Sequence, residues 1–347
     1  MRPLVEASPI SFEPRSDQHH SSRKQALDER CSGARLTGAA SRHCPRLYLA
    51  LPTGFEPVLQ PERVANSATH PLIHRVVAKR CRRPQPWIAS RMNAVDRTII
   101  KSLREARRVV VLTGAGVSAE SGVPTFRDKQ TGLWERFDAA QLATPSAFQR
   151  DPALVWGWYE WRRATVLAAQ PNAGHRALAA MAEHVPQFTL ITQNVDDLHE
   201  RAGSPHVLHL HGELARPYCE ACRRSYVFPI RAPKLPPGGA RIEPPRCEVC
   251  GAHIRPGVVW FGEALPELTW LAAREAARQC DVFLCCGTSA LVQPAASLTH
   301  VAIDGGAVTV QVNPNPTDLD TSVTAAIRGT SGTILPQLVA ETWASRD

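Results

Sequence analysis

No apolar run in this 347-residue chain approaches the ~20 residues that cross a bilayer as a helix. The N-terminus also lacks the basic-then-hydrophobic pattern of a secretory signal, so neither a membrane partner nor export is expected. A disulfide framework is missing too: four of the ten cysteines fall in two close pairs, and Cys280, Cys285 and Cys286 sit in or beside an apolar strand. That usage fits a reducing, cytoplasmic compartment. The formal charge of +8 is absent from the part expected to fold. Residues 1–91 hold 15 Lys/Arg against 7 Asp/Glu, whereas residues 92–347 hold 25 of each. Basicity therefore gives no argument for a nucleic-acid partner. No internal repeat is present.

Residues 1–91 are rich in Arg, His, Ser and Pro and show no helical or strand period, so this stretch is expected to be disordered or to precede a true start at Met92. From Met92 the chain alternates helical and strand patterns, which implies an α/β fold with a doubly wound parallel sheet, Rossmann-like, over residues 92–216 and 255–347. Strands are predicted at Val109–Thr113, Phe188–Thr192, Val207–Leu210, Val282–Cys286 and Ala307–Val312. Helices are predicted at Asp96–Ala106, Ser146–Arg150, Pro152–Ala169, Ala173–Glu183 and Pro266–Gln279.

The stretch from Val109 to Asp128 organises the rest. A β-branched run passes into Gly114-Ala115-Gly116 and then a helix-compatible segment, which is how a buried strand presents a helix N-terminus to a nucleotide phosphate. Gly114 and Gly116 would let backbone approach a pyrophosphate. A hydride-transferring dehydrogenase would continue to a second strand ending in an acidic residue about twenty positions on. Here Pro124 interrupts the helix, and Glu135 at the right distance has no strand around it. A dinucleotide is expected, but without the hydride-transfer layout.

Cys219-Glu220-Ala221-Cys222 and Cys247-Glu248-Val249-Cys250 are two Cys-x-x-Cys knuckles joined by a Pro- and Gly-rich loop. Two tight turns of this kind supply four thiolates to one tetrahedral zinc ion and leave no open position for a substrate. The expected module is a structural zinc ribbon at 217–254. Redox pairs and a nucleic-acid-binding ribbon are the alternatives, and the latter is opposed by neutral charge and by the lack of interleaved aromatics.

After the second strand comes Gln193-Asn194-Val195-Asp196-Asp197, and the third ends in His209-Leu210-His211-Gly212-Glu213. Carboxamides, a carboxylate and an imidazole at adjacent strand ends would converge in one cleft. These motifs occur in order with Gly114-Ala115-Gly116-Val117-Ser118, Gly122-Val123-Pro124-Thr125-Phe126-Arg127, the cysteine pairs, Phe261-Gly262-Glu263 and Gly287-Thr288-Ser289. Together they resemble the sirtuins, NAD-dependent protein lysine deacylases, from about Val109 to Leu338.

The resemblance implies that NAD is a co-substrate. Gly114, Ala115, Gly116, Ser118, Phe126 and Arg127 would hold its pyrophosphate and ribose, and Gln193, Asn194 and Asp196 its nicotinamide end. Gly287, Thr288, Ser289 and Asn313 would bind the adenosine end. His211 would be the general base on a ribose hydroxyl, after acyl oxygen displaces nicotinamide, and O-acyl-ADP-ribose would leave. Val259, Trp260 and Phe261 would pair with an acylated-lysine peptide as an added strand.

Tyr159 and Arg162 lie three apart in a predicted helix, so phenol and guanidinium share a face and could grip a carboxylate. Alternatively, Arg162 and Arg163 form a solvated face. The Tyr-x-x-Arg pattern resembles the sirtuin branch that removes succinyl, malonyl and glutaryl groups, with Ala143 leaving room for the acyl chain. The expected enzyme is a desuccinylase or demalonylase, slower on acetyl groups, acting as a monomer. A plain deacetylase and a protein ADP-ribosyltransferase are the alternatives.

Overall fold

In the strand β1 (Arg108–Thr113), Val109 to Thr113 are all buried, because helices cover both faces of the sheet it belongs to. The computed structural model describes residues 96–125, 132–228, 234–236 and 238–343. The expectations for residues 1–91 and the sites assigned to Phe126 and Arg127 lie outside the described residues. The other strands of this sheet are β2 (Gln187–Thr192), β3 (Leu208–His209), β6 (Val282–Cys286), β7 (Val308–Val312) and β8 (Ala325–Ile327). Their order is β3-β2-β1-β6-β7-β8, all parallel. Chain direction across the sheet reverses between β1 and β6, so their C-terminal ends open a crevice there.

Alternate residues of β1 serve opposite layers. Val109 and Val111 pack with Leu103 of α1 (Arg97–Glu105), Leu178 and Met181 of α6 (Ala173–His184), and Leu335 and Leu338 of α10 (Ser331–Trp343). Val110 and Leu112 face Ala273 and Ala277 of α8 (Glu267–Gln279) and Leu298 and Ala302 of α9 (Ser297–Asp304). All five predicted strands and five predicted helices form within a few residues of their expected bounds; the third strand is the shortest, at two residues. The strand β8, the helices α9 and α10 and a short helix at Ala139–Leu142 lie outside the predicted elements.

A third apolar cluster stands beside the sheet. It is built from α3 (Ala139–Leu142), α4 (Pro145–Arg150) and α5 (Pro152–Ala168), with Trp134, Phe148, Trp158, Tyr159 and Trp260 at its centre. The helix α5 starts where expected: Asp151 accepts the Leu154 N–H at 3.0 Å and Pro152 occupies the first turn. It is buried on nearly every side. Trp156 packs with Cys219, Cys247 and Ile254 of the cysteine module, while Trp158 and Tyr159 join the third cluster.

The cysteine module contains β4 (Tyr218–Cys219) antiparallel to β5 (Ile254–Arg255). In the loop between its knuckles, residues 238–242 are seated on α5 and on the 3-10 turn Gly132–Arg136. Gly238 accepts the Leu133 N–H at 2.9 Å, and Arg241 grips Asp151 with two bonds of 2.7 Å. Gly239, at φ +86°, lies against the Trp134 indole, where a Cβ would come within 2.3 Å of the ring nitrogen. Among the described residues, no helix is long and apolar enough to cross a membrane.

Candidate active site

The loops at the C-terminal ends of β1, β2, β3, β6 and β7 enclose a cleft of about 730 Å³ at the reversal point. It is lined by every described residue expected to bind dinucleotide or substrate, His211 and Asn313 among them. A Cβ on Gly114 would come within 2.7 Å of Thr288, and one on Gly116 within 2.7 Å of the Gly287 carbonyl. Their N–H groups bind Cys286 and Gly287 carbonyls at 3.0 and 2.8 Å. These glycines let two loops of the protein meet and form the cleft floor; they do not offer those amides to a pyrophosphate.

Three rungs tie the strand ends together. Gln193 Nε2 donates to Thr288 Oγ1 at 3.1 Å, Asn313 Nδ2 donates to the Thr288 carbonyl at 2.7 Å, and Asn194 Nδ2 donates to the Gly114 carbonyl at 3.2 Å. Asn194 Nδ2 also reaches Ser118 Oγ at 3.0 Å, so its amide nitrogen is committed inside the protein. Asp196 accepts the Leu198 N–H at 3.2 Å. Burial raises its pKa, opposed by the bonds from Leu198 and Ser118.

His211 Nδ1 is 2.9 Å from the Gln193 carbonyl. A carbonyl only accepts, so Nδ1 carries the hydrogen and Nε2 is the basic atom. Burial lowers the imidazole's pKa, and the Gln193 bond only partly offsets this. The ring is therefore neutral, and ready to take a proton, at ordinary pH.

Behind this layer lie two buried imidazoles that sequence reasoning missed. His175 Nδ1 accepts the Asn172 N–H at 3.3 Å, which places its hydrogen on Nε2, 3.5 Å from Ser118 Oγ. Ser118 accepts from Asn194 and donates to Asp196, so His175 buttresses the group that orients both. Burial holds His175 at a pKa of about 4. His199 Nε2 meets Thr113 Oγ1 at 2.9 Å, and the two imidazole rings are 4.8 Å apart. The available signal was Asn172 three residues before His175, a reciprocal helix cap.

Arg162 and Tyr159 open on the same cleft as His211 and Ala143. The solvated-face alternative is excluded: Arg162 and Arg163 are each 8% exposed. Arg163 pairs with Glu160 at 2.8 Å and stacks on Phe228, whereas Arg162 lies over the Trp158 ring and donates to the Pro124 carbonyl at 3.5 Å. Burial depresses the Arg162 pKa, opposed by Tyr159 and Asp196.

The segment Val259–Phe261 is not a strand, and its N–H groups all point inward. They bind the His211 carbonyl at 2.8 Å, Glu263 Oε2 at 2.8 Å and the Ala143 carbonyl at 2.9 Å. These amides are committed inside the protein because the loop is drawn against β3 and α3, and the Trp260 carbonyl likewise accepts the Glu263 N–H at 3.0 Å.

The four cysteine sulfurs Cys219, Cys222, Cys247 and Cys250 lie within 4.8 Å of one another, with Cys219–Cys250 at 3.4 Å and Cys222–Cys247 at 3.6 Å. Four sulfurs about 2.3 Å from a common tetrahedral centre are separated by about 3.8 Å, so the set fits zinc. The Cys222 N–H pulls the Cys219 thiol down and the Cys250 N–H lowers Cys247, while Cys222, despite the Arg224 N–H, is pushed up by its bonds to the neighbouring sulfurs, so the set carries its negative charge unevenly until a metal binds all four. None of the described cysteines is in a disulfide.

Comparison with known proteins agrees with this geometry. A family profile described as the Sir2 family matches residues 114–294. A Methylococcus capsulatus protein named NAD-dependent protein deacylase is 56% identical over 241 residues, covering 70% of this chain and 94% of its own. The crystal structure of a Sir2 homologue–NAD complex, 45% identical, superimposes with a TM-score of 0.67 over 72% of this chain and 94% of that one. A triple mutant of a Sir2 homologue with 2′-O-acetyl-ADP-ribose, also 45% identical, gives 0.66 over 72% and 96%. This chain therefore belongs to the Sir2 family.

Proposed function

We propose that this chain is an NAD-dependent protein lysine deacylase that prefers acyl groups ending in a carboxylate, succinyl and malonyl above acetyl. NAD supplies the ribose carbon that accepts the acyl oxygen, and it is consumed. Gln193, Asn194 and Asp196 orient the nicotinamide end, with Ser118 holding the last two in register. His211 Nε2 takes the ribose hydroxyl proton, with Nδ1–H anchored on Gln193. Gly114, Ala115, Gly116, Gly287, Thr288, Ser289 and Asn313 form the nucleotide-side floor of the cleft, and Phe126 and Arg127, outside the described residues, are assigned to the same cofactor on their motif alone. Val259, Trp260 and Phe261 carry the acylated-lysine peptide.

The observation that carries the acyl preference is Arg162, buried yet lining the cleft beside Tyr159. A guanidinium in that position favours an anionic acyl end over a methyl. Ala143 leaves space above it. Cys219, Cys222, Cys247 and Cys250 hold one zinc ion in a small lobe at 217–254 that shapes the cleft without doing chemistry. The remainder, 92–216 and 255–347, is the NAD domain. The reading also includes a cytoplasmic setting, in keeping with the free cysteines among the described residues, and a monomer.

The test is nicotinamide release from one peptide bearing succinyl-lysine or acetyl-lysine, comparing wild type with Arg162→Met. Succinyl turnover is expected to be faster in wild type and to fall by about ten- to a hundredfold in the variant, with acetyl turnover much less affected. Faster acetyl turnover, with the variant unchanged, would make Tyr159 and Arg162 scaffold and the protein a plain deacetylase.

A further inference from the structure

Trp260 follows the cysteine module, and its side chain is turned away from solvent, 2% exposed. Its indole Nε1–H donates to the phenol oxygen of Tyr159 at 3.0 Å. The ring that makes this bond is held from several sides. Arg255 of β5 lies 3.6 Å from its centroid, and Phe148 packs on it at 5.3 Å. Arg255 is in turn gripped by Glu263 with bonds of 2.7 and 2.8 Å and bonds the Val258 carbonyl at 3.1 Å. Glu263 also accepts the Trp260 backbone N–H at 2.8 Å. The indole cannot turn without breaking this set.

A phenol both accepts and donates. With Trp260 donating to its oxygen, Tyr159 has its own hydrogen to offer a ligand. Burial pushes Tyr159 ionisation well above the usual range, so that hydrogen stays in place at any working pH. A carboxylate only accepts, so a donor-set phenol beside a guanidinium matches it. An acetyl methyl has no use for either.

We propose that Trp260 is a specificity-determining positioning residue, whose indole N–H sets Tyr159 as a hydrogen donor toward the terminal carboxylate of an acidic acyl chain. This rests on the acidic-acyl reading above. The same contacts link acyl selection to the cysteine module, because Arg255 directly follows Ile254, which packs on Cys219 and Cys247.

The experiment measures kcat and KM for the succinyl and acetyl peptides with wild type, Trp260→Phe, Tyr159→Phe, the double variant and Arg162→Met. An isosteric benzothienylalanine at position 260, which lacks only the N–H, replaces Trp260→Phe if that variant packs poorly. The succinyl-to-acetyl ratio of kcat/KM is expected to fall about three- to tenfold on loss of the indole N–H, mainly through succinyl KM. In the Tyr159→Phe background the same loss should have no further effect on the ratio. If Arg162→Met abolishes the succinyl preference but removing the N–H leaves the ratio unchanged, or lowers both substrates equally, the role of Trp260 is refuted while the acidic-acyl reading stands. If wild type shows no succinyl preference, that reading falls, and this inference with it.

Discussion

Single atoms decide the chemistry at this site. The carbonyl of Gln193 selects the His211 tautomer, and burial keeps the ring neutral. The sign of the pH effect follows. A base with a lowered pKa is unprotonated, and so active, at pH values where an ordinary imidazole near 6.5 is half charged. The acid limb of kcat/KM for deacylation is expected to lie below about pH 6.5. A limb centred above pH 7 that belongs to His211 would contradict this account. The motif residues of this site were legible as types: Asn194, Asp196 and His211 stand at strand ends where a ligand is expected. His175 was not legible, because a lone histidine in an apolar helix gives no sign that its ring supports a serine on another element. The inward amides of Val259–Phe261 were hidden for a similar reason: hydrogen-bond direction depends on partners far along the chain.

Among the elements, the strands buried on both faces were the easiest to read. Val109 to Leu112 and Val282 to Cys286 are uninterrupted apolar runs, and both form as expected. The strand β8 is three partly buried residues, Ala325-Ala326-Ile327, at a sheet edge, too short and too weakly β-forming to announce itself. In α10, Gly332 and Pro336 conceal a helix that exists because it packs on α6 and α1. The cysteine knuckles were legible, whereas the seating of their connecting loop on α5 and Trp134 was not, since it depends on glycines meeting a distant indole. Zinc removal tests that arrangement. Without a metal the four sulfurs lose the bonds that hold them together, and their lobe abuts the helix carrying Tyr159 and Arg162. Chelation under reducing conditions is expected to release one zinc per chain, lower Tm by more than about 5 °C and abolish deacylation. Far-UV circular dichroism should retain the sheet and helices. Full activity after complete metal release would show that the lobe does not shape the cleft.

For the whole molecule, strand order puts the chemistry where it is. Reversal between β1 and β6 opens one crevice, into which five strand ends deliver glycine floor, carboxamides, carboxylate and imidazole. The third cluster then sets a tyrosine and an arginine against the same space. Nothing in this layout calls for a hydride acceptor, in keeping with the missing acidic strand end noted in the sequence. The most direct measurement is mass spectrometry of the products formed from an acylated-lysine peptide and NAD by the full chain, comparing wild type with His211→Ala. The account predicts one nicotinamide and one O-acyl-ADP-ribose for each lysine unmasked, formed about 10²- to 10⁴-fold more slowly by the variant. Free carboxylic acid released with NAD intact, ADP-ribose attached to the peptide, or an unaffected His211→Ala variant would contradict it.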